Sequence, residues 1–347
     1  MATSAARHSS NYPSVELETV LGSGAFGKVW QGKWQGHTVA IKEPIPQAGQ
    51  EWKKEFLAEC NLVKKLKHPN IIVVYHVSEH EGKPYLVMEL AKNGSLVDFL
   101  KVLKGNRQIT GGGRRCKMAV GIADGMAYLE GKRVVHRDLA ARNILVMEDQ
   151  TCKISDFGLT RKMLQHSKSA EYASMYQLDE YVYTTSGTQD YCYVRSKPDG
   201  PFPVRWTAPE AFAGPSTTKS DVWSFGIVLW EMMSFAATPY SSHSIRDLRT
   251  WLMSSEKNRL AKPTGCDDAV YRVMLETWAL QPSKRPTFSD IKGKLADTCS
   301  KILSPRSFPR TPAEQSVNQR HSYRDGLLSR QRPSSRSAQQ LRKPSGK

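Results

Sequence analysis

Apolar positions recur in short runs along the first ninety residues. Val20-Leu21, a glycine-rich turn, Lys28-Val29-Trp30-Gln31-Gly32 and Thr38-Val39-Ala40-Ile41 predict strands joined by tight turns. The period changes over Glu51 to Leu66, where Phe56, Glu59, Val63 and Leu66 recur at helical spacing. Ile71 to Tyr75 and Tyr85 to Met88 predict further strands. Beyond Gly94 the helical period dominates, over Leu96 to Leu103, Cys116 to Leu129, Asp221 to Met233 and Val270 to Trp278. A small sheet-rich lobe followed by a larger helical one is an α+β order.

The periodicity stops at Ser304. From there to Lys347, Ser, Pro, Arg and Gln dominate, and the large apolar residues are only Phe308, Val317, Tyr323, Leu327, Leu328 and Leu341. Such a segment buries too little surface to offset its ordering entropy, so a disordered tail is expected over 303–347 and a disordered N-terminus over 1–11.

Composition changes this picture in one respect. The net charge is +17, with 39% hydrophobic and 24% charged residues. Ten Lys and Arg against Glu314 and Asp325 place +8 of that charge in the last 44 residues, leaving +9 on the rest. The tail has one Phe and one Tyr, too few for base stacking, so no specific nucleic-acid partner is expected. The basic balance of the folded part suits a polyanionic ligand.

No window approaches the roughly 18 apolar residues of a membrane helix, and the best run, Phe225 to Trp230, is bounded by Ser224 and Glu231. The N-terminus lacks an apolar signal core, and Ala2 stands where N-myristoylation needs glycine, so a cytoplasmic location is expected. Cys60, Cys116, Cys152, Cys192, Cys266 and Cys299 form no close pair in sequence, and reduced thiols are the expectation.

Candidate chemistry lies in three places. Leu21-Gly22-Ser23-Gly24-Ala25-Phe26-Gly27-Lys28-Val29 is a glycine-rich turn between strands, where backbone N–H groups can approach phosphate without a Cβ in the way. Alone it is equally a simple hairpin, and the strand after it argues against a dinucleotide-binding fold. Val39-Ala40-Ile41-Lys42 puts a cation on the next strand; by itself such a lysine snorkels to solvent, and Glu59 on the following helix can pair with it, as can almost any acid there. Further on, Val134-Val135-His136-Arg137-Asp138-Leu139-Ala140-Ala141-Arg142-Asn143-Ile144-Leu145-Val146 is a polar loop between apolar strands. Asp138 can accept a hydroxyl proton, and Asn143 can offer a carbonyl oxygen to a hard cation. Asp156-Phe157-Gly158 supplies a carboxylate for the same cation.

In this order the motifs resemble those of the eukaryotic protein kinase family, over about Tyr12 to Ile302, and within it a cytoplasmic, non-receptor tyrosine kinase catalytic domain. The resemblance implies a bilobal fold: an N-lobe and hinge over 12–91 with one regulatory helix, and a mainly helical C-lobe over 92–302. It implies that Gly22 to Gly27 cover ATP, that Lys42 holds the α- and β-phosphates with Glu59 positioning it, and that Leu21, Val29, Ala40 and Leu145 enclose adenine. Met88 corresponds to the gatekeeper, Glu89 to Ala91 to the hinge, and Asp98 reaches ribose or substrate. Asp138 is the implied catalytic base, and Asn143 and Asp156 hold Mg²⁺, with Mn²⁺ as the alternative. Ala208-Pro209-Glu210, Asp221-Val222-Trp223-Ser224-Phe225-Gly226 and Arg285, which the family pairs with Glu210, continue the match. His136 and Phe157 with Val63 and Val74 fit an apolar stack between the lobes, and His68-Pro69-Asn70 reads as a turn.

Serine/threonine kinases usually place Lys two residues after the catalytic Asp. Here that position is Ala140, and Arg142 supplies the cation. This pattern, with Phe202-Pro203-Val204-Arg205-Trp206, resembles the tyrosine kinases, whose platform holds substrate backbone farther out to suit a phenol. The implied function is transfer of the γ-phosphoryl group of Mg-ATP to tyrosines of protein substrates in signal transduction.

The activation segment, 156–210, is longer than usual for the family, and its extra stretch, Met163 to Asp190, is expected to be a mobile loop. Tyr191 and Tyr193 best match the family's phosphorylation position, with Arg137 and Arg161 to receive the phosphate. Arg306-Ser307-Phe308-Pro309-Arg310-Thr311-Pro312 fits a polyproline ligand for an adaptor. The competing reading is a catalytically weak kinase-fold scaffold whose basic tail binds anionic or polyproline-reading partners. Loss of Lys42, Asp138 or Asp156 would favour it, and all three are present.

Overall fold

The computed structural model describes residues 15–24, 27–45, 51–80, 83–105, 112–157, 161–162, 178–186, 189–196, 200–212, 214 and 216–303. Backbone alone is described at 51–52, 54–55, 58–59, 80 and from 161 to 202. The described residues fall in one compact unit, Met1–Ile302, except Leu303, the first residue of a second unit that runs to Lys347.

Five antiparallel strands form the first lobe: β1 (Val15–Gly24), β2 (Gly27–Trp34), β3 (His37–Glu43), β4 (Val74–His80) and β5 (Lys83–Met88), ordered β1-β2-β3-β5-β4. Alternation along β3 decides what faces the cleft. Val39 and Ile41 join Tyr85 and Val87 on the outer face, under Trp30 and Trp34, while Ala40 joins Leu86 and Met88 in the main core. Lys42, two residues after Ala40, shares the inner face, so the strand period itself aims its ammonium inward.

Strand β4 begins at Val74 rather than at Ile71, as the apolar run suggested. Ile71 instead bridges Ile154 of the second lobe, and Ile72 N–H donates to the Ile154 carbonyl at 2.9 Å. That apolar run was a tie between lobes. Helix α1 (Glu51–Lys64) ends two residues short of Leu66, whose N–H closes a tighter turn on Val63.

The second lobe contains α2 (Leu96–Gly105), α3 (Gly112–Gly131), α4 (Thr218–Met233), α5 (Ile245–Ser254), α6 (Asp268–Thr277) and α7 (Phe288–Leu303). Helix α4 is buried at nearly every position, as expected of a helix apolar on all sides. A capping box between Thr217 and Ser220 starts it. Gly226 is required at its centre, because a Cβ there would lie 2.0 Å from Thr277 Oγ1. Short ladders β6 (Val134–Val135) with β9 (Arg161–Lys162) and β7 (Ile144–Val146) with β8 (Cys152–Ile154) frame the loop carrying Asp138.

Two expectations are corrected. The stretch read as a mobile loop carries β10 (Leu178–Ser186), which pairs with β11 (Gln189–Ser196) and through it with β12 (Gly200–Pro203). Tyr, Val and Thr crowd Tyr181 to Thr185, a composition that favours strands despite its polarity. Cys116 on α3 and Cys299 on α7 are joined in a disulfide, with Cα atoms 5.7 Å apart. They lie 183 positions apart in sequence, so only helix packing reveals the pair. Cys60, Cys152 and Cys266 are buried and take no part in this disulfide. Among the described residues, no helix is long and apolar enough to cross a membrane.

Candidate active site

Backbone pinning shapes the loop from His136 to Asn143. Asp221, in the first turn of α4, accepts the N–H groups of His136 at 2.7 Å and Arg137 at 2.9 Å. Burial pushes its carboxyl up to about 6. Arg137 adopts φ 73°, an unfavourable conformation that these bonds help to hold. The buried His136 ring accepts the Asp138 N–H at Nδ1, 3.3 Å away, so Nε2 carries the proton facing the Ser155 carbonyl at 3.1 Å. Desolvation lowers its pKa and keeps the ring neutral. His136 and Phe157 pack with ring centroids 5.0 Å apart, and Val63 and Val74 are buried in the same core.

Asp138 is only 2% exposed, and its carboxylate pairs with the Arg142 guanidinium. The side-chain amide of Asn143 donates to the Asp138 carbonyl at 2.7 Å, which leaves Asn143 Oδ1 as a ligand atom. Ser155 N–H and Oγ each donate to the Asn143 carbonyl at 2.9 Å. These bonds hold Asp156, the next residue, beside Asn143. Asp156 has φ 57°, and its carboxylate accepts from Lys42 Nζ at 2.8 Å. Glu59 lies on α1, and its side chain is outside the described residues.

Two oxygen donors from one amide and one carboxylate fit a hard cation that keeps waters and takes its remaining ligands from phosphate. No group of three His, Cys, Asp or Glu residues is placed to hold a metal among the described residues, so a dedicated protein cage is absent there.

The residues expected to enclose a nucleotide come from both lobes. Val29 and Leu145 are half-buried against the core that contains Ala40 and Met88. Gly22 and Gly24 pair with Val29 and Gly27 across the β1–β2 hairpin, and Leu21 and Ser23 are exposed on it. Ala25 and Phe26 lie outside the described residues. Gly27 has φ 142°, and a Cβ there would meet the Glu43 carbonyl at 2.2 Å, whereas a Cβ on Gly22 would meet nothing within 4 Å. One glycine is therefore a structural necessity, and the other opens space over the cleft.

In the hinge, the Glu89 carboxylate accepts from Val73 N–H and from Lys153 Nζ, both at 2.7 Å. Its own N–H donates to the Val73 carbonyl, and the Ala91 carbonyl accepts from Gly94. The Glu89 carbonyl and the Ala91 N–H make no hydrogen bond among the described residues, which leaves an acceptor and a donor for a purine edge. Asp98 is exposed and caps α2 with Ser95, whose hydroxyl donates to it at 2.6 Å.

Arg142 stacks on Trp206, 4.6 Å from its ring centroid, joining the loop to the Phe202–Trp206 platform. Trp206 Nε1 donates to Glu231 Oε2 at 2.9 Å, and the same oxygen accepts the Ala141 N–H at 3.0 Å. Burial raises the Glu231 carboxyl to about 7. Arg285 grips Glu210 through two bonds of 2.6 and 2.8 Å, as the resemblance implied. His68 to Asn70 forms the expected turn, with Asn70 N–H donating to His68 Nδ1 at 3.1 Å.

Tyr191 and Tyr193 lie on β11, where Tyr193 is opposite Val182 and Pro203. Arg161 lies on β9 opposite Val135, two residues before Arg137. The side chains of Tyr191, Tyr193 and Arg161 are outside the described residues, as are Arg306 to Pro312 entirely. Sequence reasoning missed Ser155 and Glu231. Glu231 had a signal, for it is an acid in the otherwise apolar run Phe225 to Met233.

A five-stranded lobe over a helical lobe, with a proton acceptor, an amide, a carboxylate and a buried lysine meeting at their junction, defines a protein kinase catalytic domain. The chain belongs to the family described as protein tyrosine and serine/threonine kinase, whose profile matches residues 15–180 and 182–295. It is 38% identical over 288 residues to tyrosine-protein kinase FRK of Homo sapiens, covering 82% of this chain and 51% of that protein. It is 38% identical over 288 residues to tyrosine-protein kinase SRK3 of Spongilla lacustris, covering 82% of this chain and 76% of that one. It is 35% identical over 294 residues to tyrosine-protein kinase Fer of Rattus norvegicus, covering 84% of this chain and 32% of that one. The chain thus spans about half of the first relative's length and a third of the last's. The family uses ATP and a divalent cation.

Proposed function

We propose that the chain transfers the γ-phosphoryl group of Mg-ATP to tyrosine hydroxyls of protein substrates, in the cytoplasm and in signal transduction. The observation that carries this reading is the buried Asp138 carboxylate held by Arg142, which itself stacks on the platform residue Trp206. In the proposed mechanism Asp138 accepts the phenolic proton while Arg142 holds its carboxylate in place. Lys42 and the loop amides after Gly22 offer fixed positive potential to the phosphates, with Glu59 as the partner of Lys42. Asn143 and Asp156 hold Mg²⁺, which supplies charge neutralisation on the phosphate oxygens. Val29, Ala40, Met88 and Leu145 enclose adenine, the Glu89 carbonyl and Ala91 N–H read its edge, and Asp98 reaches ribose or substrate.

Incubation with Mg-ATP and an acidic polymer containing both tyrosine and serine, followed by phospho-amino-acid analysis, tests this. Phosphotyrosine is expected, with Asp138→Asn slower by about 10²–10⁴-fold. Phosphoserine as the main product contradicts the acceptor assignment, and equal activity of the variant contradicts the role of Asp138.

Regulation by autophosphorylation at Tyr191 or Tyr193 is part of the proposal. The pairing of β9 with β6 brings the backbones of Arg161 and Val135 together, close to Arg137, a fitting receptor for phosphate. The double variant Tyr191→Phe/Tyr193→Phe is expected to abolish the lag that autophosphorylation produces in progress curves; an unchanged lag and rate contradict it. Arg306 to Pro312 is proposed as a polyproline-type ligand for an adaptor.

A further inference from the structure

Helix α4 places two carboxylates on the catalytic loop, Asp221 at its start and Glu231 ten residues later. Asp221 fixes the loop at His136 and Arg137. Glu231 fixes it at Ala141, and with the same oxygen it fixes Trp206. The Trp206 carbonyl is also tied to α4, accepting from Ser224 Oγ at 2.8 Å. Ser224 and Glu231 are seven residues apart, two turns along one helix face, so the indole and its backbone are both registered to α4. The other face of the problem is Arg142, whose guanidinium lies over that indole and reaches Asp138. Glu231 Oε1 is buried and makes no hydrogen bond among the described residues. Every polar contact of the carboxylate therefore passes through the one oxygen shared by loop and platform.

We infer that Glu231 is a positioning residue for the phosphoryl acceptor: it sets Trp206, and through it Arg142, so that Asp138 and the substrate platform keep one registration. This inference rests on the tyrosine-kinase reading above. The role needs an acceptor oxygen at this place more than it needs a negative charge. A packing role alone would need only a side chain of the same shape.

Steady-state kinetics of the full chain on a tyrosine peptide separates these cases, with Glu231→Met as the isosteric variant lacking an acceptor and Glu231→Gln as the one keeping it. Glu231→Met is expected to lower peptide kcat/KM by about tenfold or more. Glu231→Gln should stay within about threefold of wild type, and KM for ATP should stay within about twofold in both. Trp206→Phe removes the indole N–H and keeps a ring under Arg142. It is expected to lower peptide kcat/KM, and the double variant with Glu231→Met should be no worse than Glu231→Met alone, because the shared bond is already lost. Multiplying defects in the double variant, a Gln variant as poor as the Met variant, or KM for ATP rising in step with the peptide defect would each overturn the role. So would a Met variant as active as wild type. Wild-type protein that makes no phosphotyrosine overturns the proposed function, and this role falls with it.

Discussion

Buried carboxylates are the residues on which the site's pH behaviour turns. Asp221 and Glu231 have folded-state pKa values of about 6 and about 7, above their ordinary 3.8 and 4.5, because desolvation outweighs the N–H groups they accept. Between ordinary and folded values the native protein keeps protons that the unfolded chain releases, so these groups make stability fall as pH rises through that window. His136 acts in the opposite direction, since its lowered pKa makes the unfolded chain the better proton binder below pH 6.5. Glu231→Gln removes one contribution alone. Urea unfolding from pH 4.5 to 7.5 is expected to show wild type losing stability relative to this variant as pH rises, by at most about 3 kcal/mol. A wild-type curve that gains on the variant over that range contradicts the burial argument.

The same scale shows what the sequence makes legible. Lys42, Asp138, Asn143 and Asp156 could be picked out because their residue types and order resemble the motifs of the family, and the structure gathers them at one junction. Glu231 was not singled out, because its importance lies in two hydrogen-bond donors 90 and 25 positions away, which no spacing rule connects.

At the scale of elements, local periodicity was enough for most of the fold. Helices α1 to α4 and α6 follow apolar spacing, and strands β1 to β3 and β5 follow alternation. The failures occurred where tertiary contacts override local pattern. Ile71 and Ile72 look like strand residues and serve to join the lobes, while Leu178 to Ser186 looks like a polar loop and pairs as a strand. The Cys116–Cys299 bond is the third such case, since it links helices α3 and α7. Closing so long a loop restricts the unfolded chain, and its contribution is about 5 kcal/mol on the loop-entropy view. Equilibrium urea unfolding with and without reductant is expected to show a loss of that order. Identical midpoints, together with all six cysteines labelled as thiols in the unreduced, denatured protein, would contradict the cross-link.

For the whole molecule, charge and architecture are joined by function. Nearly half of the +17 belongs to 304–347, and the remainder suits a domain that handles polyphosphate. The division into a sheet lobe and a helical lobe places Lys42 on one side of the cleft and Asp138, Asn143 and Asp156 on the other, so the proposed nucleotide and acceptor sites share the junction. Helix α4 is the rigid reference for that junction, because Asp221, Ser224 and Glu231 all anchor the loop or the platform to it. The central claim is that this geometry serves a phenol rather than an aliphatic hydroxyl. The most direct measurement is kcat/KM for three peptides identical except for Tyr, Ser or Thr at the acceptor position. The account predicts that Tyr is favoured by at least about a hundredfold, the scale on which a misplaced reacting group fails; comparable values for Ser or Thr would contradict it.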